Sequence, residues 1–158
     1  MASSDSFTAR GGWWVVAQLP ILAVAAVLPP VAGTGELMPV SSWSWFGMGI
    51  VLGGMFLIAA GLAALGAALT PFPAPRARAG LRTHGVYAVV RHPIYSGLIV
   101  ASLGWALWWQ SVLAILFSVV VFVFFDRKAA EEERRLITQF STYAQYQKRT
   151  RKLIPLLY

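Results

Sequence analysis

Long charge-free runs alternate with short polar stretches along this chain, and the lengths of those runs define its elements. Trp13 to Val31 is interrupted only by Gln18, Pro20 and the Pro29-Pro30 pair. It is long enough for one helix across a hydrocarbon core of about 30 Å, which takes about 20 residues, and the proline pair predicts its end. Phe46 to Leu69 carries no charge, and Gly47, Gly49, Gly53, Gly54, Gly61 and Gly66 within it allow a neighbouring helix to approach closely. Ile94 to Phe125 gives 32 residues without a charge, too many for one upright span. At its middle, Trp108-Trp109-Gln110-Ser111 combines interfacial aromatics with the polar atoms of a tight turn. The pattern therefore predicts two short helices, near Ile94 to Trp108 and Val112 to Phe125, folded as a hairpin; one long, strongly tilted helix is the alternative. Beyond Phe125 charges return at helical spacing, and an amphipathic helix is expected to about Gln147.

Composition turns this pattern into a fold class. The chain of 158 residues is 58% hydrophobic and 12% charged, which excludes an average soluble domain. The expectation is a single all-α integral membrane domain over 1–158, with four transmembrane helices, the last two a short hairpin, and a C-terminal amphipathic helix. The N-terminal MASSDSFTARGG is short and polar and contains an acid, and the run from Trp13 has no clear cleavage site, so the first span reads as a retained anchor. With no cysteine, disulfides and thiolate chemistry are excluded.

Charge sets the orientation. Of 13 Lys and Arg, 12 lie between Arg76 and Lys152. Four spans would put both termini and the Thr70 to Arg91 loop on the same side as every basic residue, and the positive-inside rule makes that side cytoplasmic. Bacterial inner membrane and endomembrane both remain open, as does the oligomeric state. A pI near 10.4 raises the question of nucleic acid, but the cations border apolar segments without interleaved aromatics, so anionic lipid headgroups are the expected partners and nucleic acid is not. PFPAPRARAG reads as an extended linker.

Placed at about 100° per residue, three consecutive glutamates acquire different surroundings. Glu131 has Arg127, Arg134 and Arg135 at helical spacing and belongs to a solvated, ion-paired face. Glu133 has no such cation; Ala129, Ala130, Leu136, Ile137 and Phe140 surround it. A carboxylate in an apolar stripe needs a distant partner, a proton or a ligand. Arg91, a tyrosine and a ligand's polar group are all open candidates. Glu132 lies at the stripe's edge, one turn beyond Lys128.

A second constellation is RHPIYSG, Arg91 to Gly97. Proline disfavours helical backbone at His92, while Pro93 suits the first turn of the following helix. His92 is thus expected at a helix N-terminus, where free donors suit a ligand's acceptor atoms; simple anchoring of Arg91 and His92 to headgroups is the bland alternative. His84 and His92 alone support no metal site, and no catalytic triad order or phosphate-cradling glycine loop is present.

The joined motifs THGVYAVVRHPIYSG, EExxL at Glu132 to Leu136, and YAQYQKRTRKLIP resemble the integral membrane S-adenosylmethionine-dependent methyltransferases related to isoprenylcysteine carboxyl methyltransferase and phospholipid methyltransferases. The resemblance covers about residues 80–158. It implies a catalytic core at 76–158, two anchoring and packing spans at 13–69, and an acceptor that is hydrophobic or lipid-like, bearing a carboxylate or an amine. It further implies that S-adenosyl-L-methionine is held by Leu81, Tyr87, Arg91, His92, Pro93, Ile94, Tyr95, Gly97 and Glu132, with Glu133 in support. Lys128 stands four residues before Glu132, where carboxyl-methylating relatives usually have arginine, and with Arg127 beside it is the expected group for the acceptor. The usual FGxxYxxY is shortened to FSTYAQY at Phe140 to Tyr146. Two rivals are a nicotinamide-dependent reductase of the sterol reductase type, suggested by RHPxY alone, and a non-catalytic membrane scaffold.

Overall fold

The computed structural model describes residues 7–33, 42–73, 80–155 and 157–158. Its helices are α1 (Gly12–Ala32), α2 (Ser42–Leu65), α3 (Pro93–Trp108), α4 (Val112–Gln139) and α5 (Tyr143–Arg149), with short 3-10 turns at Gly66–Ala68 and Gly85–Ala88. Among the described residues there is no strand, only an isolated parallel bridge between Val90 and Arg151. The polar N-terminus before Phe7, most of the α1–α2 connection and most of the PFPAPRARAG linker lie outside the described residues.

α1 does not stop at Pro29-Pro30 but carries both prolines, and Pro20, inside the helix to Ala32. A proline removes one N–H from the helical ladder, and Pro30 leaves the carbonyl of Ala26 without its donor. Trp105 of α3 supplies it, its indole Nε1 donating to Ala26 O at 2.9 Å. The Ala32 carbonyl at the helix end accepts from the Ser111 hydroxyl at 3.2 Å.

The hairpin falls at its expected place. α3 ends at Trp108, Gln110 takes a left-handed conformation (φ 51°), and Ser111 caps α4 by accepting from Ala114 N at 3.3 Å. α4 then runs unbroken for 28 residues. The apolar run and the charged segment beyond Phe125 are therefore one helix, and the break comes at Phe140.

α2 and α3 pack through backbone rather than side chains. A Cβ on Gly54 would come within 2.7 Å of Gly97 O, one on Gly97 within 2.5 Å of Gly54 O, and one on Gly104 within 2.7 Å of Val51 N, whereas Gly49 and Gly53 face open space. Small residues at such a seam let helices associate where the hydrophobic effect cannot drive them together. Gly97→Ala is expected to destabilise by about 1–3 kcal/mol through overpacking, and Gly53→Ala by less than about 0.5 kcal/mol, as for a surface substitution. Thermal unfolding in detergent compares the two, and equal effects would refute the seam.

α1 and α2 are long and apolar enough to cross a membrane, with mean hydropathies of 2.1 and 2.3, yet only 6% and 11% of their apolar windows are buried within the protein. Phe56 is 69% exposed and Val112 on α4 71%. Apolar surface of this extent is untenable in water and natural in lipid, where each helix satisfies its own backbone.

Candidate active site

His92 is held out of the helical conformation (φ −127°, ψ 62°), and Pro93 opens α3 behind it, as the dipeptide dictates. The C-terminal tail then clamps this turn from outside. Arg91 N donates to Arg151 O at 2.8 Å, His92 N to Lys152 O at 3.2 Å, and Arg151 N to Val89 O at 3.3 Å. Leu153, 2% exposed, is buried beside them, and the Ser96 hydroxyl donates to its carbonyl at 2.6 Å. Lys152 and Tyr158 meet Asp126 of α4 at 2.5 and 3.0 Å.

Glu133 ties these pieces together. One carboxylate oxygen accepts from Arg91 Nε at 2.6 Å and lies 3.1 Å from His92 Nε2; the other accepts from Gln147 Nε2 at 2.9 Å. Arg91 reaches on through Nη1 to the carbonyls of Gln147 at 3.2 Å and Thr150 at 2.5 Å. Burial by itself would raise the Glu133 carboxyl, but hydrogen bonds from His92 and Arg91, and their charge, bring it down to about 2. The carboxylate in the apolar stripe thus finds its partner in Arg91, and behaves as a structural anion.

Its neighbour Glu132 faces a different space. It accepts from Tyr95 OH at 2.9 Å and lies 3.8 Å from His92 Nδ1, at the wall of a cavity of about 220 Å³. His92 and Tyr95 stack with parallel rings 5.4 Å apart. Lys128, one turn earlier on α4 and 1% exposed, sits with Nζ 5.4 Å from the Tyr95 ring centroid and donates to the Gln18 amide oxygen of α1. Leu62 and Leu65 of α2, Leu98 of α3 and Phe125 of α4 add apolar lining to the cavity, and Phe140, Tyr143 and Tyr146 line it as well. Glu131 is where its spacing put it, on the outer face with Arg134 and Arg135 at 3.6 and 2.9 Å.

Of the residues singled out in the sequence, Leu81, Tyr87, Arg91, His92, Ile94, Tyr95, Lys128 and Glu132 reach the cavity. Four are placed elsewhere. Pro93 is buried at the start of α3, Gly97 faces the α2 backbone, Glu133 lies behind Glu132, and Arg127 is exposed. Gln18, Tyr143 and Tyr146 also line the cavity, although no site role was assigned to them from the sequence. A lone amide inside an apolar span is itself a signal, and two tyrosines at helical spacing, with ring centroids 5.7 Å apart, mark a helix face.

Burial, reinforced by the charge on Glu132, pushes the Tyr87 phenol above its usual range. Tyr143 is likewise raised, and Tyr146 is pushed up to about 12, by burial first in each case. These phenols stay protonated at neutral pH, so none of them serves as a base there, and Tyr146 is a hydrogen-bond donor. Tyr146 OH does so to Tyr87 O at 2.5 Å, latching α5 onto the loop that precedes the RHPIYSG turn.

Apolar helices around a partly charged cavity, where α3 begins and α4 leaves its apolar run, define a helical membrane protein with a cavity at the end of its bundle. Residues 43–142 match the phospholipid methyltransferase family, and the chain belongs to it. It is 40% identical over 83 residues to a protein-S-isoprenylcysteine O-methyltransferase of Schizosaccharomyces pombe, covering 49% of this chain and 34% of that one. An Arabidopsis thaliana protein of the same name, form B, is 38% identical over 77 residues, covering 48% and 39%. The chain thus spans well under half the length of these curated relatives. A solved structure of a eukaryotic intramembrane Ras methyltransferase, isoprenylcysteine carboxyl methyltransferase, superposes with a TM-score of 0.77 at 26% identity, covering 88% of this chain and 53% of that one.

Proposed function

We propose that this protein methylates the carboxylate of a lipid-like acceptor of the prenylcysteine type, using S-adenosyl-L-methionine, at the cytoplasmic face of a membrane. The observation that carries this reading is that Glu132 and Lys128 line the same cavity, and that Lys128, a buried ammonium, forms no ion pair with a carboxylate among the described residues.

The donor set suits the cofactor. Glu132 is an acceptor with lone pairs left beyond the Tyr95 bond, fit for an ammonium or ribose hydroxyls, and the faces of Tyr87, Tyr143 and Tyr146 suit a flat base. When bound, the cofactor supplies an electrophilic methyl group on a sulfonium. Lys128 holds the acceptor's carboxylate, which is ionised at neutral pH and has no proton to lose. Leu62, Leu65 and Leu98 hold the hydrocarbon beside it and keep water out, so that alignment is not lost to solvent. α1 and α2 cross the bilayer, and α3 with the apolar part of α4 enters it as a short hairpin; the rest of α4, with α5 and the tail, caps the cavity on the side that carries the basic residues.

A lipid amine is a second reading, favoured by the presence of the Glu132 carboxylate, which can take up the proton an amine must shed. Calorimetry in detergent is expected to show saturable binding of S-adenosylhomocysteine; a folded sample that binds none overturns methyl transfer. With labelled methyl donor, N-acetyl-S-farnesylcysteine is expected to be methylated in preference to phosphatidylethanolamine. Lys128→Ala is expected to raise the KM of the farnesylcysteine at least tenfold and to alter S-adenosylhomocysteine affinity less than twofold. Equal losses would remove Lys128 from the acceptor site.

A further inference from the structure

Gln18 interrupts the apolar run of α1, and its side chain lines the cavity. Its amide oxygen accepts from Nζ of Lys128, 110 residues away in sequence. An amide satisfies one of the ammonium's donors without cancelling its charge. Around Lys128 stand the Tyr95 ring of α3 and, one turn along α4, Glu132, whose carboxylate is engaged with Tyr95 OH and adjoins His92. Behind it, the Glu133 carboxylate is taken up by Arg91 at 2.6 Å and lies 3.1 Å from His92 Nε2. The charge of Glu132 supports this ammonium without bonding to it, and a buried ammonium with no bonded counter-ion is costly, so donors remain for an arriving anion. α1 lies outside residues 43–142, the part matched to the family, and the residue that steadies this lysine therefore comes from the helix that the sequence assigned to anchoring.

We propose that Gln18 is a positioning residue that sets acceptor specificity: it fixes the Lys128 ammonium at the cavity wall and leaves its charge available, so that the site selects an anionic headgroup and rejects a cationic one. This rests on the reading of Lys128 as the group that meets the acceptor. A glutamate at position 18 has nearly the same shape but supplies a directly bonded anion from within the protein. An internal ion pair would then compete with the acceptor for the same ammonium.

The test uses the full chain in detergent with S-adenosylmethionine and N-acetyl-S-farnesylcysteine. Gln18→Glu is expected to raise the acceptor's KM at least tenfold, to leave S-adenosylhomocysteine affinity within twofold, and not to lower the melting temperature. Gln18→Met, which removes the amide oxygen at similar volume and adds no charge, is expected to raise KM by a smaller factor. Unchanged acceptor KM in Gln18→Glu overturns the proposal. So does a loss in which acceptor KM, donor affinity and melting temperature worsen together in both variants, since that marks Gln18 as structural. A wild-type protein that binds S-adenosylhomocysteine but methylates phosphatidylethanolamine in preference to the farnesylcysteine overturns anionic selection alone; one that does not bind S-adenosylhomocysteine overturns the methyltransferase reading beneath it.

Discussion

Glu133→Ala is expected to cost about 3–5 kcal/mol of stability, the range for removing one member of a buried ion pair. One oxygen of Glu133 serves both Arg91 at 2.6 Å and His92 at 3.1 Å, and the other serves Gln147 at 2.9 Å. Alanine leaves all three without it, and Arg91 is the residue that reaches the carbonyls of Gln147 and Thr150. The loss should therefore spread from one side chain to the docking of α5 and the tail. Chemical unfolding in detergent measures it; a loss below about 1 kcal/mol, the scale of an exposed pair, would show that Glu133 does not hold these elements together.

The same carboxylate gives the wild-type protein an acid limb. Its folded pKa of about 2 lies below its ordinary value of 4.5, so its stabilising effect is complete above the unfolded value and fades as pH falls from there towards the folded one. Wild-type stability should decline across that interval, and Glu133→Ala should lack this component. Parallel acid limbs in the two proteins would refute the assignment.

The second large effect is expected at the adjacent residue and should be of a different kind. Glu132 accepts from Tyr95 at 2.9 Å at the cavity wall, and its side chain is 28% exposed. Glu132→Ala should thus change the melting temperature little while weakening S-adenosylhomocysteine binding about 10- to 100-fold, the equivalent of one hydrogen bond to a charged group at about 1.5–3 kcal/mol. Calorimetry on both proteins decides it. Unaltered affinity removes Glu132 from the donor site, and a parallel loss of fold would make it structural like its neighbour. Two adjacent glutamates, one lost through stability and the other through binding, would separate the frame of the site from its working surface.

Much of this was legible in advance because it is local. The apolar run lengths located four long helices, since a segment without charges has few other ways to satisfy its backbone in lipid. Trp108-Trp109-Gln110-Ser111 marked the hairpin because interfacial aromatics and polar atoms suit a turn, and the left-handed Gln110 falls there. The His92-Pro93 dipeptide marked the start of α3 because proline constrains the residue before it. Glu131 was separable from Glu133 because the helical period alone decides which of them has cations one turn away. Where local rules misled, a distant group had intervened. Pro29-Pro30 failed to end α1 because α3 brings Trp105 to the freed carbonyl. Gly97, grouped with the ligand residues by its motif, packs against the α2 backbone.

By itself, then, the sequence determined which segments are helical, which are apolar enough for lipid, where the polar pieces fall between them, and which carboxylate lacks a neighbour on its own helix. Only the tertiary structure decided what each inward face meets: Glu133 with Arg91, 42 positions apart, and Lys128 with Gln18, 110 apart. The physical reason is range. Helix formation and desolvation of a run depend on residues within a few turns, whereas the partner of a buried charge is chosen by how whole helices pack, and that choice has no signature in either residue's own neighbourhood.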